Sequence, residues 1–239
     1  MTDLGGVAAP IGTRVVDLSI PVGPDTQIYP GDPVPAVRQA MTIDRDGANV
    51  LALELGSHTG THVDAPFHFE ADGERLEDVS LDLFRGPAVI VDVTGHADRE
   101  PIGWDALSPH ADRFRSGTIL VLRTGWSERF YGTERYFDHP FLTAAACERV
   151  LERSVRTLAI DALNPDETVL DGTEQRWDVH HLVLGAGGVI AENLTNLSAI
   201  DFEEPLLCLF PLRLAGDADG APCRAIALDL ASATRPAAP

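Results

Sequence analysis

Apolar positions along the chain fall in short runs broken by turn residues, not in long amphipathic stretches. Residues 15–20 (VVDLSI) read as a first strand. Residues 50–55 (VLALEL) read as another, with Leu51, Leu53 and Leu55 on one face. Residues 88–93 and 118–122 are continuous and rich in β-branched side chains, as in strands covered on both faces. Thr143 then opens a pattern of helical period over residues 144–152, with Ala146, Val150 and Leu151 inward and Thr143 as the cap. Residues 158–161 form the strand that this helix feeds. A short helix over 178–184 closes at Gly185, and strands follow at 189–190, 206–209 and 225–228. Tyr29-Pro30-Gly31-Asp32-Pro33 is a turn. Strands outnumber helices and alternate with them irregularly, with no internal repeat and no linker. The pattern predicts a single mixed α/β domain over residues 1–239, with loose tails at 1–12 and 233–239.

Composition narrows the chemistry. A formal charge of −19 disfavours nucleic acids and anionic membranes. No apolar run is long enough to span a bilayer, and residues 1–12 lack the basic start and apolar centre of a signal peptide, so the expected location is the cytoplasm. All 18 basic residues are Arg, which excludes Schiff-base and Walker-type phosphate chemistry, both of which need a lysine amine. Cys147, Cys208 and Cys223 form no paired motif and read as small core residues.

One segment stands apart. Between positions 58 and 68, the sequence HTGTHVDAPFH places three His and one Asp in eleven residues. Imidazole and carboxylate suit zinc and similar divalent ions. On a helix, His58 and His62 share a face but Asp64 points away. In a straight strand all four face one way, yet His58 and His62 lie about 13 Å apart. The chain must therefore bend, and Gly60 permits the bend while Pro66 limits helical continuation. His58, His62 and Asp64 then share a metal, and His68 lies beyond them as a proton carrier. His180-His181, with Glu192 twelve residues after the first, forms a weaker cluster, and Asp161 and Asp166 stand open between solvated turns and a site role.

The segment resembles the HxGTHxDxPxHF motif of the cyclase-like metal hydrolases, which include bacterial kynurenine formamidase (arylformamidase) and isatin hydrolase. Val16-Asp17-Leu18-Ser19, the Tyr29–Asp32 turn, Arg123-Thr124-Gly125-Trp126, Ile160-Asp161-Ala162 and His180 through Asn193-Leu194 are similar to further family blocks. The resemblance implies a mixed α/β domain of the swivelling β/β/α type, assembled as a homodimer or homotetramer. It implies one or two zinc ions, or manganese, held by His58, His62, Asp64, His180 and Glu192, with Asp64 bridging in the two-ion case and His68 catalytic. The implied reaction is hydrolysis of an amide C–N bond in a small aromatic molecule, an aryl formamide or an isatin-like cyclic amide. Tyr29 and Trp126 are candidate substrate walls, whereas Phe67 and Phe69 read as core packing. A cyclase, dehydratase or lactone hydrolase, and a non-catalytic metal-binding protein, are the competing readings.

Overall fold

Short strands with apolar residues on both faces can be buried only inside a covered sheet, and this is where the chain puts them. The computed structural model describes residues 14–230, so both expected tails lie outside the described residues. One nine-stranded sheet runs in the order Arg14–Asp17, Ile226–Asp229, Leu206–Cys208, Arg85–Asp92, Ile119–Arg123, Thr157–Ile160, Val189–Glu192, His62–Asp64 and Gly220–Pro222. The four strands from Arg85–Asp92 to Val189–Glu192 are parallel, and the flanking pairs are antiparallel. The sheet curls. Ser19, just beyond the first strand, bridges Leu194 near the other end, and Thr195 donates its N–H to the carbonyl of Leu18.

Alternation along the central strands splits the core in two. Leu120, Leu122, Leu158, Ile160 and Ile190 face the helices. Ile119, Val121, Ala159, Val189 and Ala191 face the inside of the curl. Each fully buried Leu, Ile or Val contributes about 1.5–3 kcal/mol. The helix Ala144–Leu151 covers the outer face, and the Thr143 hydroxyl accepts from the Ala146 N–H at its start as predicted. The second predicted helix is Asp178–Gly185.

One strand stands apart, and one expectation changes. Val50–Glu54 is a strand, but it pairs only with Ala36–Met41 in a separate two-stranded arm. Leu51 and Leu53 are 56% and 61% exposed on it, so their apolar face is uncovered within one chain. Trp126 is not at a cavity wall. It starts a helical turn, is 1% exposed within the outer core, and donates its indole N–H to the carbonyl of Arg135.

Candidate metal centre

Gly60 adopts a φ of +67°, the left-handed conformation that a bend between His58 and His62 requires. Beyond it, His62–Asp64 is a strand, and period-two alternation sends His62 and Asp64 to one face and Val63 into the inner core. Register brings in the next residue. Glu192 lies directly opposite His62, and Ile190 opposite Asp64. Pro66 starts a 3-10 turn, Pro66–His68, instead of simply ending helical structure. That turn carries His68 back over the strand. The helix Asp178–Gly185 lays His180 over the same face.

The side chains converge. His62 Nε2 lies 3.2 Å from Asp64 Oδ1 and 3.4 Å from Glu192 Oε2. His180 Nε2 lies 3.2 Å from Glu192 Oε1 and 3.7 Å from Asp64 Oδ2. His58 Nδ1 is 2.8 Å from Asp64 Oδ1. Two groups, His58-Asp64-His68 and His62-Asp64-Glu192, each bring their ligand atoms within 4.8 Å of one another and share Asp64. All five residues expected as ligands therefore meet, and His68 stands beside them.

Each imidazole is held from behind. His62 Nδ1 is 2.8 Å from the Gly60 carbonyl, His180 Nδ1 is 2.7 Å from Asp166 Oδ2, and His58 Nε2 is 3.0 Å from Asp219 Oδ2. A ring that donates its outer N–H leaves the inner nitrogen's lone pair facing the centre, as metal-binding histidines do. Asp166 also accepts the N–H groups of Val179 and His180, so it fixes the helix start and the ring together. His181, by contrast, is exposed and pairs with Glu70, which selects His180 of the adjacent pair.

Several of these atoms touch ion-pair partners but make no hydrogen bond. His62 Nε2, Asp64 Oδ2 and Glu192 Oε1 are buried without a hydrogen bond. Three such orphans at one point carry a desolvation cost that a cation would offset. The cluster also responds as cation-binding groups do. Burial alone would lower the histidine pKa values. For His58 the hydrogen bonds to Asp219 and Asp64 outweigh it, raising the pKa to about 9. For His180, Asp166 and Glu192 do the same, to about 10. Burial pushes Asp64 up, but His62 and His58 overcome it and hold the carboxyl well below its usual range. The centre thus attracts protons when no metal competes for it. Three imidazoles and two carboxylates suit a divalent ion of the zinc or manganese type.

A cavity of about 240 Å³ opens onto the cluster. Tyr29, Phe69 and Trp177 wall it, with the Trp177 ring 5.5 Å from Tyr29 and 5.6 Å from Phe69. Phe69 is thus a cavity wall and not plain core. Phe67 instead packs under the guanidinium of Arg75. Asp161 is structural. It accepts the Thr124 and Gly125 N–H groups and the Thr124 hydroxyl.

Sequence reasoning passed over Asp219 and Trp177. Asp219 sits in an acidic turn, Asp217-Ala218-Asp219, with no spacing to mark it. It reaches His58 only because the edge strand Gly220–Pro222 pairs with His62–Asp64. Trp177 precedes His180 by three residues, one helical turn, and that spacing was its available signal.

Fold and site together define a mixed α/β protein with an internal centre for a divalent cation. The chain belongs to the cyclase family: the family model described as "Putative cyclase" matches residues 16–167. It is 33% identical to the kynurenine formamidase of Bacillus mycoides (strain KBAB4) over 216 residues, covering 88% of this chain and 95% of that protein. Among solved structures, isatin hydrolase A from Ralstonia solanacearum superposes with a TM-score of 0.80 at 25% identity, covering 90% of this chain and 92% of that one. An isatin hydrolase bound to the product analogue thioisatinate shares the fold, with a TM-score of 0.82 at 22% identity and coverage of 91% and 93%.

Proposed function

We propose that this chain is a metal-dependent hydrolase that cleaves the C–N bond of a small aryl amide, either an aryl formamide or a ring-closed amide of the isatin kind. One observation carries the reading: buried atoms of His62, Asp64 and Glu192 that make no hydrogen bond converge, and His62 and Glu192 line an aromatic-walled cavity. The relatives named kynurenine formamidase and isatin hydrolase support it.

His58, His62, Asp64, His180 and Glu192 would hold the ion. When bound, a zinc or manganese ion polarises the scissile carbonyl and lowers the pKa of a water. Asp64 is common to both groups of close ligand atoms, and His68, in one of them, stands next to the ion it would serve. The other parts belong to the protein. His68 Nδ1 faces Asp219 Oδ2 at 3.3 Å, and in the tautomer that donates to Asp219 the Nε2 lone pair is free to accept a proton. Nε2 takes the proton of the attacking water and returns it to the departing nitrogen. Tyr29, Phe69 and Trp177 clasp the aromatic ring and keep the scissile bond in place.

The exposed leucines of the arm favour a homo-oligomer, because a lone two-stranded ribbon is marginal in water. Three free cysteines fit a reducing compartment such as the cytoplasm.

The test is elemental analysis of the purified protein, then chelation, reloading and assay on formanilide, isatin and a lactone. The reading expects turnover of formanilide or isatin by the metal-loaded protein alone. Turnover confined to the lactone, or undiminished after the metal is removed, would refute it.

A further inference from the structure

The charges of the cavity do not cancel evenly. Glu192 is engaged by His62 and His180, and Asp219 by His58 and His68. Asp32 also lines the cavity, on the turn that carries Tyr29, where its N–H donates to the Tyr29 carbonyl. Among the described residues its carboxylate has no hydrogen-bond or ion-pair partner. Burial raises its pKa, and the charges of His58, His62 and His68 pull it part of the way back, so Asp32 lies within electrostatic reach of the reacting end. On the other side of the balance, no Arg among the described residues lines the cavity, and its cationic groups are the histidines gathered at the metal centre. The chain has no Lys at all, and its net charge is −19.

A charge enclosed by apolar walls acts over several ångströms, because little water lies between it and a ligand. Tyr29, Phe69 and Trp177 provide such walls. Their faces carry the negative end of the ring quadrupole and add attraction for cations.

We propose that Asp32 is a specificity-determining residue that makes the cavity select neutral or cationic aryl amides and reject those carrying a carboxylate on the ring side. This rests on the aryl-amide reading of the site and narrows it. For a substrate bearing an amino-acid side chain, Asp32 would attract its ammonium group and repel its carboxylate.

The test is calorimetric titration of the metal-loaded protein with three slowly cleaved analogues: acetanilide, 4-acetamidobenzoate and 4-acetamidophenyl-trimethylammonium. Wild type should bind the cation most tightly and the anion most weakly, with at least about a tenfold spread between them. Asp32→Asn should shrink that spread to within about threefold, and Asp32→Glu should keep the order. Equal binding of anion and cation by wild type overturns the proposal, as does an unchanged spread in Asp32→Asn or failure of all three compounds to bind. Loss of metal from Asp32→Asn would make Asp32 a ligand and also overturn it. Should that variant not fold, the wild-type order decides. Absence of turnover on the formamide and isatin panel, with the binding order intact, defeats the hydrolase reading and leaves the charge selection standing.

Discussion

Asp219 Oδ2 lies 3.3 Å from His68 Nδ1 and, on its other side, 3.0 Å from His58 Nε2. One carboxylate oxygen thus holds the proposed proton carrier and one of the proposed ligands at once. Its pKa reflects this: burial raises it, and the two histidines drive it far below the usual carboxylate range.

Replacing Asp219 with Asn should leave the fold in place and reduce turnover. The amide can still accept one hydrogen bond but no longer balances two imidazoles. Loss of such an outer partner typically costs about 10–100-fold in metal affinity or activity. Kinetics at saturating metal, with elemental analysis alongside, should show kcat falling more than metal content. Unchanged kcat would mean that His68 keeps its tautomer without Asp219.

Asp166 makes a different prediction because it serves a helix and a ring together. Asp166→Ala removes two N–H acceptors at the start of Asp178–Gly185 and frees His180 to rotate. The helix loss should cost about 1–2 kcal/mol of stability. Metal affinity should fall as well, by about 10–100-fold. Denaturant titration reads the first and competition with a chromogenic chelator reads the second. A stability loss with full metal affinity would confine Asp166 to capping.

Metal removal should itself lower stability. The buried atoms of His62, Asp64 and Glu192 that make no hydrogen bond would gain a strong partner in the loaded state. A ligand present at 100 times its Kd stabilises by about 3 kcal/mol. Thermal melts of chelated and reloaded protein should therefore separate by several degrees. Coincident melts would mean that the cluster satisfies itself without a cation.

Much of this was legible in the chain, for a physical reason. The ligands His58, His62 and Asp64 are local in sequence, so spacing and one glycine were enough to foresee their meeting. The strands at Arg85–Asp92, Ile119–Arg123 and Thr157–Ile160 are marked by continuous apolar runs. What spacing could not supply was register. Glu192 and Asp219 reach the centre through strand pairing across more than a hundred residues, and no local pattern encodes that. The arm was legible as a strand, but its partner was not. Leu51 and Leu53 follow the rule for a buried face, but the single chain leaves that face in solvent. Trp126 looked like a wall by type, and packing placed it in the core.

The arm gives a prediction of its own. If Leu51 and Leu53 are covered by a second copy, then Leu51→Asp with Leu53→Asp should shift the protein to a smaller species in analytical ultracentrifugation. Both positions are exposed within one chain, so the double variant should keep the monomer fold. An unchanged sedimentation coefficient would remove the arm from the interface.

Asp161 supplies a test of stability against pH, away from the metal ligands. Its carboxyl is buried, which raises its pKa from 3.8 to about 6 despite the three donors from Thr124 and Gly125. The folded protein therefore holds this proton more tightly than the unfolded chain does. The contribution favours folding fully below about pH 4 and is lost as pH rises through about 6, and a shift of this size is worth about 3 kcal/mol. Asp161→Asn cannot titrate. It keeps an acceptor for Thr124 but faces the Gly125 N–H with its own amide, which lowers its stability by about 1–3 kcal/mol at every pH. Other groups titrate alike in both proteins and cancel in the difference. Chemical denaturation across pH 4–7 should show wild type losing about 3 kcal/mol relative to the variant, with the difference flat above about pH 7. Parallel curves over that range would mean that the Thr124 and Gly125 donors compensate fully for burial, and that Asp161 enters the fold already ionised.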